Sequence, residues 1–483
     1  MPDKIITRRD KISNKTDKAN PKPEDKTQES SGNESPQPLK QAAGQASVAV
    51  EAAALRIPRR SIAGMEGMWA KMWDPPTESP ATPEFLTATN PVPEFIRSVV
   101  PDAKVTTPNT VQRELIDGVT LDAWDGTPID FMGFGDDDNP VASGGTFPGA
   151  TIRIPRGVVF HCETQGKGPP PHTIHWHGIE PTPMNDGVGH TSMEIGQYIY
   201  QFQPNFIGSY FYHCHRNTVQ HFELGLYGFL IIEPPDAYNS GQGLNPGGYP
   251  RRTAANLAAF PQFPGFVAGD LASGDPHAYT VPYDYEALWV VDDVDSFWHN
   301  VIGDEAKAFY PSIQNRPGVD DLFFHGHFHD FNPDYWYVTG VSVPGVKGTV
   351  GDIAAGLTVP QALNSGVAGM QVSINAQVNK TVLVRCLDAA YNSVDITFPV
   401  DVVIIAYDGR SLGVPPFGRY NYPFLVRAGT PIYLSTARRF DALIRSASPV
   451  NDFATVRFFN TRGENVPGRS ELLKTARIPI SIA

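Results

Sequence analysis

Residues 147–163 read FPGATIRIPRGVVFHCE, and apolar and polar residues alternate along this stretch. Because successive side chains of a β-strand point to opposite faces, the alternation predicts strands with one apolar face. A Gly-Pro loop, KGPPP, follows it. Similar strand signals begin at about residue 108 and continue to LIIEPP at 230–235. The pattern predicts a β-sandwich over residues 108–236.

A second strand-rich region opens at YEALWVVDD (285–293) and continues almost to Ala483, with KTVLVRCLDA and VDVVIIAYDG among its apolar runs. The chain holds 44 Gly and 45 Pro, which suits short strands joined by turns. The sequence therefore predicts an all-β protein. Its predicted parts are a disordered polar tail (1–60), an extended or helical N-terminal arm (61–107), the first sandwich (108–236), a linker (237–280) and a second sandwich domain (281–483).

The charge distribution argues against nucleic acid as the main partner. The chain carries a net charge of −13. Residues 1–60 hold 12 Lys and Arg against 8 Asp and Glu, so the rest of the chain has a net charge of −17. No stretch approaches the roughly 20 apolar residues of a membrane span. Three cysteines imply no disulfide framework, and no signal peptide is recognisable, so the cellular compartment stays open.

Nine of the thirteen histidines lie in three short clusters. They are His172, His175 and His177 in PHTIHWHG, His213, His215 and His221 around Cys214, and His325, His327 and His329 in FFHGHFHDF. Side chains two apart on a strand share a face, so each H-x-H pair is predicted to converge on one side. Imidazoles in such numbers indicate bound metal.

The thiol of Cys214 lies between His213 and His215 in sequence and is predicted to point to the opposite face. A type 1 copper site needs two imidazoles, one thiolate and a weak axial neighbour. His172, Cys214 and His221 supply that set. A thiolate on one copper would then be joined through its two chain neighbours to histidines of a second copper site.

The motifs HTIHWHG, NDGVGHTS and GSYFYHCH…H…GLYGFLII resemble the multicopper oxidase family, strongly over about 108–236. The resemblance implies two cupredoxin-like Greek-key β-sandwiches. It further implies that His172 binds type 1 copper, that His175 and His177 bind type 2 and type 3 copper, and that His213 and His215 bind type 3 copper. Leu226 stands at the usual axial position, which implies a three-coordinate, comparatively oxidising copper. Asp186 matches the acidic residue that serves the family as a proton source.

An oxygen-reducing copper cluster of this family takes eight histidines, and the first domain supplies four. The second domain resembles the family's middle domain and has VDITFPVDV (394–402) where a copper-bearing domain would have its histidine run. His325, His327 and His329 are therefore candidates to complete the cluster, within one chain or between chains of a homotrimer.

The leading functional hypothesis is an oxidase. A phenol, an aromatic amine or a metal ion would give electrons to type 1 copper, and dioxygen would be reduced at a type 2/type 3 cluster. Two alternatives stay open, namely a two-domain copper nitrite reductase and a non-catalytic copper-binding or electron-transfer protein.

Overall fold

Strands form almost all of the secondary structure. The computed structural model describes residues 110–135, 146–157, 160–166, 172–179, 181, 185–188, 197–215, 218–234, 251–269, 275, 277–299, 331–354, 358–360, 369–415, 421–460 and 471–483. The predicted tail and arm (1–107) lie outside these residues. Within them, the predicted all-β class is confirmed. No helix in this part of the chain is both long and apolar enough to cross a membrane.

The first sandwich is built from two four-stranded sheets. Its elements are β1 (Thr110–Asp122), β2 (Pro128–Gly135), β3 (Gly149–Pro155), β4 (Phe160–Gly166), β5 (His175–His177), β6 (Gln197–Phe202), β7 (Gly208–His213), helix α1 (Thr218–Glu223) and β8 (Tyr227–Glu233). The outer sheet has the strand order β2-β1-β4-β6, and the inner sheet has the order β3-β8-β7-β5. From β2 to β7, successive strands alternate between the two sheets, and apolar side chains from both sheets pack into one core.

Strand β7, GSYFYH, is buried over its whole length. Tyr210 and Tyr212 belong to the core between the two sheets, whereas Phe211 belongs to a different apolar cluster on the opposite face. This second cluster contains Leu288, Leu387 and other residues of the second sandwich. The inner sheet is therefore covered on both faces, which explains why β7 is apolar or aromatic at successive positions.

Part of the predicted linker packs against the second sandwich. Its strand β9 (Arg252–Ala254) pairs with β10 (Thr280–Pro282). Leu257 and Phe263 join an apolar cluster with Val403 of the second sandwich. The Gly- and Pro-rich composition indicated a loop, but a few apolar side chains are enough to hold such a segment on a sheet face.

The second sandwich contains two larger sheets. Its strands are β11 (Tyr285–Val294), β12 (Tyr335–Val338), β13 (Val341–Ser342), β14 (Val350–Asp352), β15 (Thr358–Pro360), β16 (Gly369–Gln371), β17 (Ile374–Ala376), β18 (Val382–Asp388), β19 (Ser393–Thr397), β20 (Val402–Tyr407), β21 (Arg410–Ser411), β22 (Phe424–Val426), β23 (Ile432–Leu434), β24 (Arg439–Ile444), β25 (Val450–Phe459) and β26 (Leu472–Ile482). One sheet has the order β13-β12-β11-β18-β24-β20-β21 with β22 on β20, and the other has the order β14-β26-β25-β19-β23 with β17 on β26. Strands β15 and β16 form a separate pair.

A buried network of charges joins the two sandwiches. Glu286 of β11 pairs with Arg153 of β3, and its Oε1 lies 2.7 Å from Nε of Arg385. Arg153 also pairs with Glu233 at 2.8 Å, and Arg385 pairs with Asp441 at 3.2 Å. Although burial opposes ionisation, the cations of Arg153, Arg385 and Arg251 prevail and hold the pKa of Glu286 far below its ordinary value.

We expect Glu286→Gln to destabilise the protein by about 3–5 kcal/mol at neutral pH, because two buried guanidinium groups each lose one of their two carboxylate partners. The folded-state pKa is depressed, so the contribution of this carboxylate is present at neutral pH and is lost as the pH falls below about 4.5. Denaturant unfolding at several pH values measures both effects. Glu471→Gln, in an exposed pair with Lys347, is the control and should change stability by less than about 1 kcal/mol. Equal effects of the two substitutions would contradict the prediction.

Candidate metal centre

Strand pairing positions the histidines of the first and second clusters, PHTIHWHG and the run around Cys214. Strand β5 pairs antiparallel with β7, and His175 lies directly opposite His213, as Trp176 lies opposite Tyr212. Trp176, Tyr212 and Cys214 belong to the core between the sheets. Because neighbouring side chains alternate, the imidazoles lie on the other face of the inner sheet, toward the second sandwich. The chain thus sends its thiol and its imidazoles to opposite faces.

The first donor set consists of His172, Cys214 and His221. Sγ of Cys214 lies 3.7 Å from Nδ1 of His172 and 3.2 Å from Nδ1 of His221, and the two imidazole centroids are 4.5 Å apart. Cys214 and His172 are buried, whereas His221 is partly exposed. The set therefore presents one sulfur and two nitrogens to a common point and reaches solvent on the His221 side.

Leu226 connects this set through its backbone. The N–H of Cys214 donates to the carbonyl of Leu226 at 3.0 Å, and the N–H of Leu226 donates to the carbonyl of His221 at 3.0 Å. The side chain of Leu226 is buried in the same apolar cluster as Cys214. Its environment is consequently dry and offers no further ligand from this position.

The second donor set consists of His175, His177 and His213, whose ligand atoms lie within 4.8 Å of one another. Nδ1 of His177 and Nε2 of His213 are 3.3 Å apart. The ring of His215 lies 5.0 Å from that of His175 and 5.6 Å from that of His213. Four imidazoles of the first sandwich are therefore gathered in one place.

Backbone carbonyls fix the orientation of two of these rings. Nδ1 of His175 lies 2.6 Å from the carbonyl of Asp186, and Nδ1 of His213 lies 2.8 Å from the carbonyl of Cys214. A ring that donates from Nδ1 keeps the lone pair on Nε2 for a metal. Oδ1 of Asp186 is 3.3 Å from Nδ1 of His175, so the acidic side chain lies beside the cluster.

The environment of His177, His213 and His215 disfavours protonation of these three imidazoles. Burial, reinforced by the positive charge of Arg439 and by His175, lowers the pKa of His177 to about 3. Burial also lowers the pKa of His213 well below its ordinary value, and it lowers that of His215. Neutral imidazole is the form that binds metal, so these three rings need not lose a proton to bind a metal at neutral pH.

Arg439 is a residue beside the cluster that the sequence patterns did not single out. It belongs to β24 of the second sandwich and is 2% exposed, with its guanidinium carbon 5.2 Å from the Phe211 ring centroid. More than 220 residues separate it from Phe211 in sequence, and no local pattern relates them. The third histidine motif, His325, His327 and His329, lies outside the described residues.

The chain is similar to known proteins over the region that carries these donor residues. A family model described as multicopper oxidase matches residues 135–237. The L-ascorbate oxidase of Cucumis sativus is 38% identical over 102 residues, which are 19% of this chain and 16% of that protein. Copper resistance protein A of Pseudomonas syringae pv. tomato is 34% identical over 97 residues, again 19% of this chain and 16% of the relative.

The matching region coincides with the part of the chain that carries both donor sets. The chain thus spans only about a sixth of the length of these two relatives. Among solved structures, the blue copper oxidase of Nitrosomonas europaea aligns with 76% of this chain and 85% of its own, at 17% identity and a TM-score of 0.44. The resemblance to multicopper oxidases predicted from the motifs is confirmed for the region that the family model matches.

Proposed function

We propose that this protein, which carries a multicopper oxidase domain at residues 135–237, is a copper-dependent oxidoreductase that couples oxidation of a reductant to reduction of dioxygen. The observation that carries the proposal is the peptide segment His213-Cys214-His215. It joins one sulfur donor set on the core face of a sheet to one imidazole cluster on the other face.

The first donor set fits copper better than other common metals. Two imidazole nitrogens, one cysteine sulfur and an apolar axial neighbour suit a type 1 copper site. A structural zinc site would usually add a fourth His, Cys or carboxylate ligand. Leu226 offers none, and the buried location of Cys214 keeps water from the sulfur.

Bound copper would supply one-electron transfer at the Cys214 set and dioxygen reduction at the imidazole cluster. The chain itself provides a short covalent path from Cys214 through its two neighbours to His213 and His215. His221 is partly exposed and is the natural entry side for electrons. Asp186 orients His175 through its carbonyl and places a carboxylate where protons are consumed.

We assign three of the four remaining histidines of the copper cluster to His325, His327 and His329. Four imidazoles come from the first sandwich, and these three are the remaining run of alternating histidines in the sequence. They act within one chain or across a homotrimer. The reductant is a small organic molecule, phenol or aromatic amine, or a metal ion.

Copper content combined with EPR spectroscopy tests the proposal. An oxidase with a complete cluster should bind about four copper ions, including an EPR-silent pair, whereas a nitrite reductase-like protein binds about two and an electron carrier about one. Oxygen consumption with a phenolic reductant should accompany the higher copper content. A blue protein with a single copper and no oxygen uptake would contradict the oxidase and favour electron transfer. Gathering four imidazoles in one cluster favours the oxidase over either alternative.

We expect Leu226→Met to lower the reduction potential of the blue copper. Methionine adds a weak thioether donor that stabilises the cupric state, and leucine has no donor. Redox titration followed by the blue absorption measures the change. Leu230→Met, in the same core but on β8, is the matched control and should leave the potential unchanged. An unchanged or higher potential in Leu226→Met would show that Leu226 is not the axial neighbour.

A further inference from the structure

Helix α1 carries His221 and cannot hold its own position. It has six residues, and isolated helices of that length are unstable in water. The position of the His221 imidazole relative to Cys214 is therefore set by the contacts that α1 makes with its surroundings. Two polar contacts of α1 reach past the first sandwich to the second.

The first contact is made by Glu223 at the end of the helix. Its Oε1 accepts the N–H of Asp295 at 2.9 Å and lies 3.3 Å from Nε2 of His299. Asp295 is itself fixed, since its carboxylate accepts N–H groups of Trp298 and Asn332. Glu223 is 3% exposed, so this contact is shielded from water. The segment that follows β11 therefore fixes the position of the C-terminal end of α1.

The second contact is made by Tyr391 near the start of the helix. Its hydroxyl donates to the carbonyl of Val219. The backbone N–H of Tyr391 donates to Oδ1 of Asp293 at 2.8 Å, which ties this tyrosine to β11. Between the two contacts, the ring of Phe222 lies 6.2 Å from that of Tyr391 and belongs to the apolar cluster between the sandwiches.

The same segment of the second sandwich also reaches the sulfur environment. Trp298 is 3% exposed and belongs to the apolar core that contains Cys214, Leu224 and Leu226. The second sandwich therefore holds α1 at both ends and contributes to the core in which the thiol lies.

We propose that Glu223 and Tyr391 are positioning residues through which the second sandwich sets the distance and angle of His221 at the Cys214 site. The proposal rests on the proposed function, because it concerns a copper ligand. It assigns a role in setting the copper site of the first domain to the second domain, which has VDITFPVDV (394–402) where a copper-bearing domain of the family would have its histidine run. Loss of either contact loosens α1 and alters the coordination geometry without removing a ligand.

Four variants test this idea. Tyr391→Phe removes one hydroxyl, and Glu223→Leu removes the carboxyl acceptor. Glu223→Gln keeps a side-chain oxygen that can accept the Asp295 N–H. Tyr210→Phe is the matched control, since the Tyr210 hydroxyl also bridges the sandwiches by donating to the carbonyl of Gly409 at 2.8 Å, away from α1.

Hydrogen exchange of the copper-free proteins, measured by mass spectrometry on the peptide spanning α1, is the first readout. Loss of one hydrogen bond to the helix or its C-terminal end should speed exchange there about fivefold in Tyr391→Phe and Glu223→Leu, and not in Glu223→Gln or Tyr210→Phe. The second readout is the copper-loaded protein. The first two variants should stay blue with altered EPR hyperfine splitting and a shifted reduction potential, and the other two should match the wild type.

The outcomes separate the two claims. A colourless copper-loaded wild type would overturn the proposed function, while hydrogen exchange would still report on the hold over α1. If hydrogen exchange were unchanged in both Tyr391→Phe and Glu223→Leu, the claim that these contacts fix α1 would be wrong. Faster exchange with an unaltered EPR spectrum and potential would show a merely structural contact and would overturn the positioning role. If Glu223→Gln behaved like Glu223→Leu, hydrogen-bond acceptance by the Glu223 side chain would not be what positions His221.

Discussion

Replacement of Cys214 by serine is expected to abolish the blue absorption completely. The colour of a type 1 centre comes from charge transfer between a cysteine thiolate and cupric ion, and a serine hydroxyl is neither a soft donor nor ionised at neutral pH. Sγ of Cys214 lies within 3.7 Å of both partner imidazoles, so this thiol is the one placed to bind the ion. Absorption and EPR spectra of copper-loaded protein measure the effect.

Cys386→Ser is the control for this substitution. Cys386 is also a buried thiol outside any disulfide, but it lies in the core of the second sandwich, and burial raises its pKa well above the ordinary value. The blue band should survive in this variant, with some loss of stability from burying a hydroxyl. A colourless, fully copper-loaded wild type would contradict the type 1 assignment, and so would a Cys214→Ser protein that remained blue.

Replacing His327 and His329 together by alanine is expected to stop oxygen consumption and to lower bound copper while the blue band persists. The four imidazoles of the first sandwich are half of an oxygen-reducing cluster, and copper held by half a cluster is weakly bound. Even outer partners of metal ligands change affinity by about 10- to 100-fold, so the loss of two ligands should exceed that range. Metal analysis, EPR spectroscopy and an oxygen electrode measure the three quantities.

His277→Ala serves as the control for the double substitution. His277 lies in a turn before β10 and belongs to neither donor set. It should keep wild-type copper content and oxygen turnover. If the double variant also kept both, residues 325–329 would not complete the cluster and the oxidase assignment would lose its main support. If it lost the blue band as well, the two copper sites would not be separable as proposed.

The sequence by itself determined the features that depend on near neighbours. Alternation along a strand places His213 and the Cys214 thiol on opposite faces, because the side-chain period of two is a property of the backbone. The same periodicity predicted strands and hence the all-β class. The grouping of His172 with Cys214, 42 residues apart, came from the donor set that type 1 copper requires, and the family resemblance implied the same grouping.

Tertiary structure alone decided what lies against these residues. Three features join segments that are far apart in the chain. Strand β7 is buried on both faces, the Arg439 cation lies beside His177, and residues of the second sandwich contact both ends of α1 through Glu223 and Tyr391. Such contacts depend on how two sheets pack and on which side chains meet across the interface. Local propensity and hydrophobic periodicity do not determine these contacts, because the pattern of each strand is compatible with many different packing partners.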